Sequence, residues 1–170
     1  MKRWLALGML TVCVLLGGCT APATAQPPTT EGFACRVTVD YDGLILVGDL
    51  QRQTGENISL AVQEPATLQG LILSWNGQAL TAAIHGISAS VDAQKVPQAA
   101  VMPLLLRVLD ATAELAGGGE KTADGWQISG EWDGTAYILV SDPQTGDLIS
   151  VSVPSIPLTV RFSDFHPLTE

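Results

Sequence analysis

Few residues of this 170-residue chain stand at spacings that do chemistry, and those that do fail on context. The run Gly117-Gly118-Gly119-Glu120-Lys121-Thr122 has the look of a loop that cradles phosphate with backbone N–H groups and a lysine. Such a loop needs glycine immediately before the lysine and a strand before the loop. Here Glu120 precedes Lys121 and would repel phosphate, and the run follows a helical pattern, so it reads as a helix-to-strand connection. His85 and His166, the two histidines, have no second His or Cys at ligand spacing, whereas a metal site takes several convergent ligands. No Gly-x-Ser-x-Gly elbow occurs, and Ser88 and Ser90 neighbour His85 in sequence only. The paired acids Asp40/Asp42, Glu131/Asp133 and Asp142/Asp147 all sit at expected turns, where aspartate bonds its own backbone. The expectation is a protein that is not an enzyme, with no cofactor and no metal centre.

Apolar residues offer more. Trp126, Ile128, Gly130 and Trp132 alternate onto one face of a strand, and Trp75 ends another. With Val37, Val39, Leu60, Leu73 and Ile84 from other strands and Leu105 and Val108 from a helix, they make a candidate apolar face. Such a face either packs as core or holds an acyl chain or apolar peptide.

The amino terminus bears on where this happens. Lys2 and Arg3 precede an apolar run from Trp4 to Leu16, too short for a membrane span of roughly 20 residues, so 1–18 reads as a signal peptide. The run ends in Leu16-Gly17-Gly18-Cys19, which resembles the bacterial lipobox. That resemblance implies cleavage before Cys19, a diacylglycerol on its thiol, and an exported protein anchored to the cell membrane, facing outside the cytoplasm. Residues 20–32, TAPATAQPPTTEG, lack large apolar side chains and read as a Pro/Thr-rich spacer. Residues 33–170 then form one domain.

Without Lys2 and Arg3, six basic residues face seventeen acidic ones, a net charge of −11. This excludes nucleic acid, whose recognition needs clustered Lys and Arg, and leaves membrane affinity to the acyl anchor. Cys13 leaves with the leader and Cys19 carries lipid, so Cys35 stands without a disulfide partner. In Phe33-Ala34-Cys35-Arg36-Val37-Thr38-Val39 it falls on the apolar face of a strand and reads as a small buried hydrophobe.

Turn signals place the elements. Asp42-Gly43, Asn76-Gly77 and Asp133-Gly134 suit hairpin turns between 33–41 and 44–52, 70–75 and 79–85, and 125–132 and 135–141. Adding 57–63, 147–153 and 158–162 gives about nine strands, mostly hairpin-linked, hence an antiparallel sheet. One helix is expected over 103–116, with Pro103 its first residue and Gly117 its cap, because a residue before proline, here Met102, avoids helix. Its apolar face is wide. With Pro97 and Pro103 before it and three glycines after it, it reads either as a lid over an apolar groove or as a core helix with a loose exit.

The Glu64-Pro65-x-x-Leu68-x-Gly70 stretch, Asn76-Gly77 and Gly86, set within this order of elements over 33–165, resemble the lipoprotein-carrier (LolA-like) superfamily. The likeness is greatest to the germination lipoproteins (GerS-like) of Gram-positive spore formers. The resemblance implies an α+β fold: a curved antiparallel sheet, or half-open barrel, with helix 103–116 on the concave face. It implies a hydrophobic ligand (lipid, acyl chain or apolar peptide), or instead a non-catalytic scaffold that partners an envelope or spore cell-wall protein. The family's usual helix before the first strand has no counterpart here.

Overall fold

The computed structural model describes residues 25–97, 99–115 and 118–168; the leader, Cys19 and Gly117 lie outside the described residues. Eleven strands among these form one sheet: β1 (Phe33–Tyr41), β2 (Leu44–Arg52), β3 (Ile58–Glu64), β4 (Ile72–Trp75), β5 (Ala79–Ile84), β6 (Ile87–Asp92), β7 (Glu120–Lys121), β8 (Trp126–Trp132), β9 (Thr135–Ser141), β10 (Leu148–Val153) and β11 (Leu158–Pro167). Their spatial order is β6-β5-β4-β3-β2-β1-β11-β10-β9-β8-β7, and every pairing is antiparallel. Two meanders thus join where β1 pairs with β11, and the helix α1 (Val101–Glu114) connects their outer ends.

The sheet is strongly curved. α1 packs against β3, β4 and β8, and β4 and β8 stand seven strand spacings apart in the order. At about 4.8 Å per spacing a flat sheet would separate them by roughly 34 Å. α1, 14 residues and so about 21 Å long, reaches both only if the sheet wraps it. The fold is therefore an open, curved antiparallel sheet with one helix on its concave face.

Local chemistry explains most of the boundaries. Asp42 and Gly43 have φ of +50° and +82°, and Asp133 and Gly134 +47° and +75°, as type I′ turns require. Asn76-Gly77 differs from expectation: Trp75 pairs with Leu80, leaving four residues between them. The Asn76 carboxamide accepts the N–H groups of Gln78 and Ala79 at 3.0 and 2.9 Å, which builds a wider loop. At the Glu64-Pro65 corner a 3-10 turn, Ala66–Leu68, tucks Leu68 against the core. The chain rejoins the sheet through the Gly70 N–H, which donates to the Val62 carbonyl at 3.0 Å. Gly70 is needed for its φ of +84° rather than for space, since an added Cβ would meet only His85 Cε1, at 3.7 Å.

The helix begins two residues earlier than expected, at Val101 with Ala100 as its cap. Met102 is helical despite preceding proline, because it buries its side chain. Pro103 sits in the first turn, where backbone N–H groups have no intrahelical partner, so its missing donor costs nothing. The first helical bond runs from the Leu104 N–H to the Ala100 carbonyl, at 3.0 Å.

Two strands go beyond the nine expected. β7 is a two-residue edge, and β6 pairs in full with β5 around His85-Gly86, at φ +49° and +83°. β11 also runs on to Pro167, past a bulge marked by Asp164 at φ +52°, and lays Phe165 on Phe33 with ring centroids 4.5 Å apart.

Candidate functional site

Directly opposed residues of antiparallel strands face the same side. Leu60 opposes Leu73, Leu73 opposes Ala82, and Ala82 opposes Ala89. Ile58, Trp75, Leu80 and Val91 form a second such row, and Ile84 opposes Ile87. The rows place all these side chains on the concave face, the one that holds α1.

That face has two halves. Under α1 it is filled: Val37, Val39, Leu60, Trp75, Leu105, Val108 and Ile128 are all buried in one core cluster. Leu73, Trp126 and Trp132 lie at its margin, half-buried and packed against it. Polar contacts help fix the helix there. The Arg107 guanidinium lies 4.4 Å from the ring centre of Trp132, a cation–π contact, and Thr112 Oγ1 donates to the Tyr137 hydroxyl of β9 at 3.5 Å. With eight buried residues, α1 is packed as a core element.

Past the helix the apolar face continues uncovered. Ile84 is half-buried outside the core cluster, and Ile87 and Val91 are 74 % and 44 % exposed. The opposite face of the same strands is more polar, carrying Ser74, Thr81, Ser88, Ser90 and Asp92 beside Ala79, Ala83 and the exposed Ile72, with Thr81 Oγ1 and Ser90 Oγ 2.8 Å apart. β6 therefore keeps the alternation of a half-buried strand while its apolar side faces solvent. Of the sequence-derived residues, nine meet under or beside α1; Leu73 borders the open wing and Ile84 belongs to it. Reasoning from sequence missed Leu80, Ile87, Ala89 and Val91. The alternation Ile87-Ser88-Ala89-Ser90-Val91-Asp92 was the available signal.

Arg52 was missed too. It is 2 % exposed at the end of β2, and its Nη1 donates to the carbonyls of Gln53, at 2.7 Å, and Gly55, while Nη2 donates to Asp110 Oδ1 at 2.9 Å. The signal was periodic: Leu46, Gly48, Leu50 and Arg52 share the concave side.

Cys35 is buried, and burial, with the Asp49 carboxylate as a lesser cause, pushes its thiol up to about 12. A thiol so placed is a hydrophobe rather than a nucleophile. A cleft of about 400 Å³ opens where α1 ends, lined by Leu115, Gly118, Gly119, Glu120, Gln127, Ile128 and Ser129. No helix among the described residues is long and apolar enough to cross a membrane.

No protein-family model matches this sequence, and no curated protein does. Among solved structures, an uncharacterized conserved protein from Thermus thermophilus is similar at 10 % identity and a TM-score of 0.48, over 81 % of this chain and 79 % of that one. A LolA superfamily protein from Nitrosomonas europaea is similar at 11 % identity and a TM-score of 0.38, over 87 % of this chain and 91 % of that one.

Proposed function

We propose that this protein is an exported, LolA-like lipoprotein, anchored through Cys19, that shelters a hydrophobic ligand on the open wing of its concave face. Leu16-Gly17-Gly18-Cys19 supports the anchor, and the Glu64-Pro65-x-x-Leu68-x-Gly70 corner supports kinship with the germination lipoproteins (GerS-like). The observation that carries the binding role is the uncovered apolar surface of β4 to β6. Ala82, Ile84, Ile87, Ala89 and Val91 face one way there, none of them ionisable, and the half-buried Leu73 and Leu80 join them to a core that is already closed. An acyl chain laid along this surface would bury apolar area worth about 25 cal/mol per Å² without disturbing α1. The missing charge favours the apolar part of a lipid over its headgroup.

The test is uptake of a fluorescent long-chain fatty acid. Ile84→Asp, outside the packed core, should abolish uptake while leaving the melting temperature within a few degrees of the parent. Uptake unchanged by Ile84→Asp, or no uptake by the parent, would overturn the reading. The filled half under α1 favours a second reading, a scaffold that partners an envelope protein. A carrier retains lipid through purification, whereas a scaffold retains a protein.

A further inference from the structure

The two edges of the sheet are unlike. β7 ends one side with two charged residues, Glu120 and Lys121. β6 ends the other with six residues, all exposed and regularly paired with β5, and only Asp92 among them is charged. Natural edges are blunted by brevity, lysine, proline or a bulge, and β6 has none of these.

The hairpin turn fixes which backbone groups point outward. In a hairpin closed by a two-residue turn the closing pair, here Ile84 and Ile87, exchanges both hydrogen bonds, and the pattern then alternates. The N–H and C=O groups of Ile87, Ala89 and Val91 therefore face β5, and those of Ser88 and Ser90 face the open edge.

We propose that β6 pairs antiparallel with β6 of a second copy of this chain, on a twofold axis through Ala89. Matching the outward groups and the concave side chains over the whole of Ile87–Val91 sets Ser88 opposite Ser90 of the second copy. Ile87 then faces Val91 of the second copy, a β-branched pair on the concave side, and Ala89 faces its own counterpart. Serines face serines on the convex side. Charge argues for this occupant. In a chain of net charge −9 the pairing strand offers five uncharged residues, and in this register Asp92 falls beyond the paired stretch, so no like charges meet. Two such edges span about 17–20 Å, short of a standard interface, so the dimer dissociates on dilution.

The proposal goes beyond the ligand reading and fails separately from it. Ser88→Pro removes an outward N–H that the sheet itself does not use, and leaves every apolar side chain of the wing in place. Sedimentation of the full chain in detergent should show a concentration-dependent dimer that Ser88→Pro abolishes and Ser88→Ala keeps. Register is read by mild oxidation. Ala89 and its counterpart form a non-hydrogen-bonded pair with Cα atoms about 4.5 Å apart, within disulfide reach, so Ala89→Cys should yield a covalent dimer beyond the parent's background. Ile87→Cys should not, its counterparts lying about 13 Å apart. A monomer at every concentration, a dimer indifferent to Ser88→Pro, or capture of a different protein at this edge would each overturn the proposal.

Discussion

The guanidinium of Arg52 donates to the Asp110 carboxylate at 2.9 Å, joining the end of β2 to the third turn of α1. The pair is asymmetric: the Arg52 side chain is 2 % exposed and that of Asp110 51 %. Arg52 also donates to the carbonyls of Gln53, Gly55 and Asn57, so one buried cation organises the β2–β3 turn and docks the helix.

Arg52→Ala should cost about 2–4 kcal/mol, because a side chain only 2 % exposed is truncated and three turn carbonyls lose their donor. Asp110→Ala should cost no more than about 1–2 kcal/mol, since water already screens its half of the pair and the carbonyls still hold Arg52. Urea denaturation of both single variants and the double variant checks this. Equal costs for the two would show that the ion pair, rather than the carbonyl cage, is what Arg52 supplies.

Much of the fold was legible in sequence, and the exceptions have physical causes. Asp42-Gly43 and Asp133-Gly134 announced their hairpins because both residues of each turn need positive φ, which Asp and Gly tolerate. β6 escaped because Ser88, Ala89 and Ser90 are poor strand formers and His85-Gly86 is a rarer turn pair. Met102 was kept out of the helix by a local rule that its burial overrides. The apolar face was legible residue by residue. What covers it depends on where α1 lies across eight strands, which no local pattern encodes.

Cys35 should resist thiol reagents in the native protein at neutral pH and react at once in denaturant. Its raised thiol also carries a pH dependence. Above the ordinary thiol value of 9.0 the unfolded chain releases a proton that the folded chain keeps until about 12. The unfolded state then binds fewer protons, so stability falls with pH. This contribution is complete below about pH 9 and is lost as pH rises towards 12. Replacing Cys35 by Ala should flatten the decline in that window; an unchanged slope would assign it to other groups.

Gly130 opposes Tyr137, and a Cβ on it would stand 2.4 Å from the Tyr137 ring, which is 1 % exposed. The ring lies across the glycine and cannot swing away. Gly130→Ala should therefore destabilise by about 1–3 kcal/mol through overpacking, although alanine suits a strand better than glycine. In a Tyr137→Leu background the same change should be nearly neutral. Additive costs in the double variant would exclude the clash.

The segment before β1 is docked rather than free. The Gln26 N–H donates to the Pro143 carbonyl at 3.0 Å and the Thr29 N–H to the Gly146 carbonyl at 2.8 Å, on the β9–β10 turn. If Cys19 carries lipid as proposed, this docking shortens the stretch that can act as a tether to the six residues 20–25, about 19 Å at the polyproline rise, instead of the roughly 40 Å of residues 20–32. The domain would stand close to the bilayer with this turn towards it. Gly146 permits the docking: a Cβ there would lie 2.4 Å from the Pro27 carbonyl oxygen. Gly146→Ala should release the segment and speed proteolysis within 25–31 several-fold. Gly134→Ala is the control, because its φ of +75° nearly matches the +78° of Gly146 while an added Cβ there meets nothing within 4 Å. Both variants bear the same backbone strain and should lose similar stability, but only Gly146→Ala should expose the segment. Equal cleavage in the two would mean that the β9–β10 turn does not hold the tether.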